Sequence, residues 1–173
     1  DELRRKIEVD FHYCPRPDAT GYADGAVWHL GGVRVRAVHL PGHTAGHCVL
    51  LVEPQGIAFI GDFDLSSFGP YYGDATSNLA DFRRSLQHLA DLPALVWITS
   101  HHKGVIEDRA QFDALLQAFA GRIDEREARL LQMLAAGPRS IAQLVQQRLL
   151  YPPEASDLWV GCAEARTIEQ HLD

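Results

Sequence analysis

The chain has 173 residues, 46% of them hydrophobic, enough for one sizeable core and a small appendage. Its 16 basic and 23 acidic residues give a net charge of −7 with neutral histidines, which repels a phosphate backbone and disfavours nucleic acid as a partner. Three scattered cysteines, Cys14, Cys48 and Cys162, form neither a disulfide framework nor a Cys-x-x-Cys zinc knuckle. No apolar run approaches the roughly 20 residues that cross a bilayer, and no apolar core follows the opening Asp-Glu-Leu-Arg-Arg-Lys, so a cytoplasmic, non-membrane protein is expected.

In chain order, the first clear elements lie between Ala26 and Leu40. Two β-type segments flank Gly31-Gly32, and Val33, Val35 and Ala37 alternate with Arg34 and Arg36, which predicts a half-buried hairpin. Cys48 to Glu53 and Ile57 to Ile60 read as two adjacent buried strands joined through Pro54-Gln55-Gly56, the second ending at Gly61-Asp62. Cys48, at the start of a buried strand, reads as a small apolar residue. A polar loop from Leu65 to Thr76 leads to an amphipathic helix with Leu79, Phe82, Leu86 and Leu89 on one face and Asn78 as its N-cap. Ala94 to Thr99 predicts another buried strand, which delivers Ser100-His101-His102, and Phe112, Leu115, Leu116 and Phe119 form a helical stripe beyond it. A composition shift near Gly121 divides the chain into 1–121 and 122–173. The second part reads as helices over Arg122 to Ala136, Ser140 to Leu149 and Cys162 to Leu172, broken at Gly137-Pro138 and Tyr151-Pro152-Pro153.

The chemistry sits in the histidines. Of nine, His12, His29, His88 and His171 are isolated, whereas His39, His43 and His47 share one stretch and His101 and His102 close an apolar run. A metal site needs donors fixed in direction and converging from distant segments, which loops at strand ends supply. His43, Asp62 and His101 each follow a predicted strand, with Gly42 and Gly61 allowing sharp bends beside the first two. Asp64 and His102 are the local rivals, and His39 reads as structural. Pro41, Gly42 and Gly46 exclude a helical His-x-x-x-His reading of His43 and His47.

The run Leu40-Pro41-Gly42-His43-Thr44-Ala45-Gly46-His47 resembles the Pro-Gly-His-Thr-x-Gly-His motif of the metallo-β-lactamase superfamily. Phe59-Ile60-Gly61-Asp62 and Ile98-Thr99-Ser100-His101 resemble, in the same order, that family's Gly-Asp strand end and last metal histidine. The resemblance, closest to the lactamase-beta-2-like and glyoxalase II-like branch, implies an α/β fold, the αββα sandwich. It makes His43, Asp62 and His101 metal ligands, with Asp62 the catalytic, metal-bridging carboxylate and His47 a support behind them. Zinc is the implied metal, one or two ions, with iron or manganese as alternatives. The family's first signature, His-x-His-x-Asp-His, is not found in the 173 residues, so the expectation is a sandwich incomplete in its first half and a chain cut at both ends. From Arg122 onward the sequence resembles a small winged-helix-like helical tail.

In that family, metal ions acidify a water to a hydroxide nucleophile near neutral pH and polarise the scissile bond. The resemblance thus implies a zinc-dependent hydrolase of a small ester, thioester, lactone or lactam-like molecule, with the present chain inactive by itself. Tyr71 and Tyr72, just after Asp62, are candidates for an aromatic substrate wall or for core packing. An RNA-processing nuclease-like member and a non-catalytic interaction protein are the rival readings. With six basic and eight acidic residues from Arg122 to Asp173, the tail is a poor phosphate ligand and reads better as a packing or interface module; self-association is left open.

Overall fold

Between Leu30 and Val33 the chain reverses through Gly31, whose φ of +67° is a left-handed conformation that favours glycine. The hairpin joins β1 (Val27–Leu30) to β2 (Val33–His39). This is a computed structural model, and it describes residues 2–172; Asp1 and Asp173 lie outside the described residues. Four more strands, β3 (Cys48–Glu53), β4 (Ile57–Gly61), β5 (Val96–Thr99) and β6 (Val105–Ile106), complete one six-stranded sheet in sequential order. All neighbours pair antiparallel except β4 and β5. Those two are parallel and need a crossover, which contains α2 (Leu79–Ala90); an earlier helix, α1 (Glu2–Val9), precedes the sheet.

Side chains alternate across a strand, so the register divides the sheet into two faces. Leu51, Ala58, Trp97 and Ile106 are successive cross-strand partners and all are buried. They join the main core with Leu86, Leu89, Phe112 and Leu116 from the helices. On the opposite face, Leu50, Phe59, Ile98 and Val105 form the neighbouring cross-strand row, where Phe59 is 38% and Val105 59% exposed. The runs that the sequence reads as buried strands are therefore covered on one face only, and β1, expected to be half-buried, is exposed along its whole length. The result is one sheet with helices on one side, half of the expected αββα sandwich.

Asn78 caps α2 by accepting a hydrogen bond from the Asp81 amide at 2.8 Å, and Leu79, Phe82, Leu86 and Leu89 are all buried. The next helix, α3, runs unbroken from Arg109 to Ala135, whereas the sequence predicts a new helix from Arg122. Gly121 in a helix interior costs about 1 kcal/mol relative to alanine. Burial of Phe119 and Ile123 on either side offsets that cost. Phe112 stacks on Trp97 with ring centroids 4.1 Å apart, fixing α3 to β5. Further along α3, Leu130 enters a second cluster with Leu144 of α4 (Ile141–Gln146), Leu149, and Ile168 of α5 (Val160–Leu172). Ser140 and Gln143 form a reciprocal cap at the start of α4. Among the described residues no strand follows Ile106, so the tail consists of helices without a wing strand. The sequence signals neither α1, which buries no residue, nor the two-residue β6.

Two buried polar groups hold the tail together. Glu164 is fully buried, and its carboxylate accepts the amides of Leu149, Leu150 and Tyr151 at 2.7–3.1 Å. His171 shares a 2.9 Å hydrogen bond with the Tyr72 hydroxyl, and burial pushes its pKa down against the opposing pull of Glu127.

Removing the acceptor of three buried amides in Glu164→Ala is expected to lower unfolding stability by about 3 kcal/mol; urea unfolding measures it, and a loss below about 1 kcal/mol would refute the role given to this carboxylate. For His171 the depressed folded pKa means that the unfolded chain takes up the proton first as pH falls. Its stabilisation is present above the ordinary histidine value of about 6.5 and is lost below it. The urea-stability gap between the wild type and His171→Gln should therefore be wider at about pH 7.5 than at about pH 5.

Candidate metal centre

The three candidate donors sit on the loops that leave β2, β4 and β5 at one end of the sheet. Each loop is shaped by contacts that its local sequence provides. Gly42 has a φ of +135°, and a β-carbon there would lie 2.4 Å from the Phe82 Cα, so the loop before His43 rests directly on the backbone of α2. The Asn78 amide donates to the Gly42 carbonyl, Ser85 donates to the Pro41 carbonyl, and the Ser77 hydroxyl donates to the His43 carbonyl at 2.6 Å. At β5, the Thr99 hydroxyl donates to the His101 carbonyl at 2.6 Å and accepts from the Gly104 amide, closing a tight loop around His101 and His102.

Asp62 is the meeting point. Its Oδ1 lies 3.2 Å from His101 Nε2 and its Oδ2 lies 3.8 Å from His43 Nε2. Among the described residues no group of three or more His, Cys, Asp or Glu side chains converges as a ready-made metal cage. What the structure brings together is a carboxylate flanked by two imidazoles. The neighbouring rivals form a separate pair, His102 Nε2 to Asp64 Oδ2 at 3.6 Å, with His102 at a φ of +60°.

The orientation of His43 follows from its other nitrogen. Nδ1 lies 3.0 Å from the Tyr71 carbonyl oxygen, which can only accept, so Nδ1 carries a hydrogen and Nε2 is the ring nitrogen that faces Asp62. An imidazole nitrogen and a carboxylate are donors of the kind that can hold a cation between them. A donor imidazole oriented by a backbone carbonyl is also how metal-binding histidines are held. The donor set thus fits a divalent cation of the zinc type, with part of its coordination supplied here.

His47 has a different task. Its Nδ1–H donates to the Leu40 carbonyl at 3.0 Å, and its Nε2 accepts the Asp62 amide at 3.1 Å. Both ring nitrogens are used in the neutral form, and burial pushes the pKa down, which keeps the ring neutral. Gly61, at a φ of +57°, leaves room for this contact, since a β-carbon there would lie 2.8 Å from His47 Nε2.

Tyr71 and Tyr72 differ in role. The Tyr71 ring stands 5.7 Å from the His43 ring, and burial raises its hydroxyl pKa. Tyr72 is fully buried against Phe82 and His171, so of the two roles open to it, substrate wall or core packing, its side chain takes the second. Sequence reasoning also missed Arg126, 5% exposed, whose guanidinium donates to the Phe68 and Pro70 carbonyls of the same loop. Its 56-residue separation from Pro70 leaves no local pattern to find it by.

Known proteins resemble this chain over the segment that holds these loops. The family model described as "Metallo-beta-lactamase superfamily" matches residues 20–101, the span that carries His43, Asp62 and His101. Residues 20–101 carry this match to the metallo-β-lactamase superfamily. The superfamily fold extends beyond the matched span. A metallo-beta-lactamase family protein from Thermus thermophilus superposes with a TM-score of 0.63 at 31% identity, over 87% of this chain and 46% of that one. An atrochrysone carboxyl ACP thioesterase from Aspergillus fumigatus is 29% identical over 78% of this chain and 39% of its own length. A hydroxyacylglutathione hydrolase from Methylococcus capsulatus is 27% identical over 83% of this chain and 55% of its own. The chain thus spans about half the length, or less, of these relatives. No helix among the described residues is long and apolar enough to cross a membrane.

Gly61→Ala is expected to cost about 3 kcal/mol, from a left-handed backbone and a displaced His47. Gly46→Ala, where an added methyl meets nothing within 4 Å, should stay within about 0.5 kcal/mol. Comparable losses in the two variants, measured by urea unfolding, would contradict the packing of Gly61 on His47.

Proposed function

We propose that this chain forms part of the active centre of a metal-dependent hydrolase of small acyl substrates, with zinc held by His43, Asp62 and His101. The observation that carries this reading is the Asp62 carboxylate between two imidazole Nε2 atoms, one of them oriented by a backbone carbonyl. Thioesters are the favoured substrate class among ester, lactone and lactam-like molecules, because the similar proteins include one named as an ACP thioesterase and one named as a hydroxyacylglutathione hydrolase.

When bound, a divalent cation supplies Lewis acidity and lowers the pKa of a nearby water. The residues of this chain do the positioning. Asp62, its backbone fixed by His47, presents a carboxylate that can hold a water by one proton and orient its lone pair. His43 is held as the Nδ1–H tautomer by Tyr71 and presents Nε2. His101, on the most exposed of the three loops, closes the other side of Asp62. The Tyr71 ring beside His43 offers apolar surface to an acyl group.

A zinc titration followed by calorimetry tests the donor set. The 173-residue chain should bind zinc weakly and turn over no thioester by itself, and Asp62→Ala or His43→Ala should lower the zinc affinity by at least about tenfold. Joined to a first half bearing His-x-His-x-Asp-His, the same residues should support hydrolysis of an acyl-glutathione or acyl-carrier thioester, lost by 100-fold or more (order of magnitude) in Asp62→Ala. Zinc affinity indifferent to both substitutions would sink the reading.

A further inference from the structure

Three successive carbonyls of the loop after β4 are held from different directions. The Pro70 carbonyl accepts from Arg126, the Tyr71 carbonyl accepts from His43 Nδ1, and the Tyr72 carbonyl accepts from Gln170 Nε2. The outer two donors come from α3 and α5, distant in sequence from the loop. Arg126 also donates to the Phe68 carbonyl and lies over the Phe68 and Tyr72 rings. Gln170 accepts the Leu79 amide at 2.6 Å through its other side-chain atom, which ties the same clamp to the first turn of α2. At Gly69, φ +82°, a β-carbon would lie 2.4 Å from the Arg122 side chain, so the loop backbone is seated directly on α3.

We propose that Arg126 and Gln170 are positioning residues for His43. By fixing the peptide units on both sides of Tyr71 they aim its carbonyl at Nδ1, and so set which nitrogen of His43 is left to face Asp62. The C-terminal helices thereby act on the metal centre without touching it. Each element is suited to the task. A guanidinium presents several donors in a rigid fork and can hold two carbonyls of one loop at once, which a lysine ammonium does less well. A glutamine amide has one accepting and one donating end, matching the Leu79 amide and the Tyr72 carbonyl. Neither contact would be needed merely to cover the core, since Tyr72 already packs on Phe82 and bonds His171.

This inference rests on the assignment of His43 to the metal centre, and its test is independent of activity. Nitrogen-15 NMR of the full 173-residue chain, above the ordinary histidine pKa, reads the two ring nitrogens of each histidine. His43 should be the Nδ1–H tautomer in the wild type. Arg126→Lys keeps the charge but loses the fork, and Gln170→Glu keeps the acceptor for Leu79 but loses the donor to Tyr72. Each should shift the His43 tautomer ratio towards Nε2–H by about tenfold, the equivalent of one hydrogen bond. His47, held by Leu40 and Asp62, should keep its own ratio in both variants. An unchanged His43 ratio in either folded variant overturns the proposal. A variant that fails to fold, judged by circular dichroism, leaves the decision to the other, because the two act on opposite sides of Tyr71. Zinc titration of the same samples separates this from the metal reading. A wild type that binds no zinc, but whose His43 tautomer responds to the variants, removes the metal and keeps the clamp. Zinc binding with an unresponsive tautomer does the reverse.

Discussion

The hydrogen bond from the Asp62 amide to His47 Nε2 is the constraint on which the centre depends. It joins the loop after β2 to the end of β4, and it exists only because Gly61 has no β-carbon to fill the space. A neutral, buried His47 is required at the accepting end, and its Nδ1–H is occupied by Leu40. The backbone of Asp62 is thus fixed independently of its side chain. Its carboxylate can then be shared between His43 and His101 without losing its place. A histidine used as a structural acceptor explains why two histidines four residues apart, each with Nδ1 on a backbone carbonyl, turn Nε2 to different partners, the amide of Asp62 for His47 and its carboxylate for His43.

The sheet sets where such a centre can form. β4 and β5 run parallel, so Asp62 and His101 leave the sheet at the same end, and the Ser100 amide donates to the Gly61 carbonyl to keep them adjacent. β2 runs in the same direction two strands away, bringing His43 to that end as well. The helix-covered face provides rigidity through Trp97, Phe112 and Phe82, whereas the opposite face leaves Phe59 and Val105 partly in water. Burial concentrated on one face holds the donor loops through their backbones while leaving His101 exposed.

Much of this was legible in the sequence where the signal was local. Glycine before His43 and Asp62, apolar runs of strand length, and Asn78 ahead of an apolar stripe each act through neighbours in the chain. The elements built from them lie where periodicity places them. The misreadings have one physical origin, since burial is decided by what packs on an element. Val27 to Leu30 has strand composition yet lies exposed at the sheet edge, and Gly121 looks like a boundary yet is carried through a helix by flanking core residues. Tyr72 is another case. Its composition suits a pocket wall as well as a core, and only the approach of α5 decides for the core.

The centre itself divides along the same line. The donors and the residues that bend their loops come from motifs within a few positions of one another, while the groups that steer His43 through Tyr71 come from α3 and α5, more than 50 residues away. Long-range contacts carry a larger loop-closure cost, so they persist where the enclosed elements are otherwise stable. Glu164 supplies that stability by binding three amides in the tail, and Leu130 with Ile168 joins the tail to α3. A well-packed tail is therefore a precondition for a well-aimed imidazole, although no tail residue lies among the proposed ligands. Such an arrangement lets the tail vary in surface and charge, provided that one guanidinium and one carboxamide stay against the Phe68–Tyr72 loop.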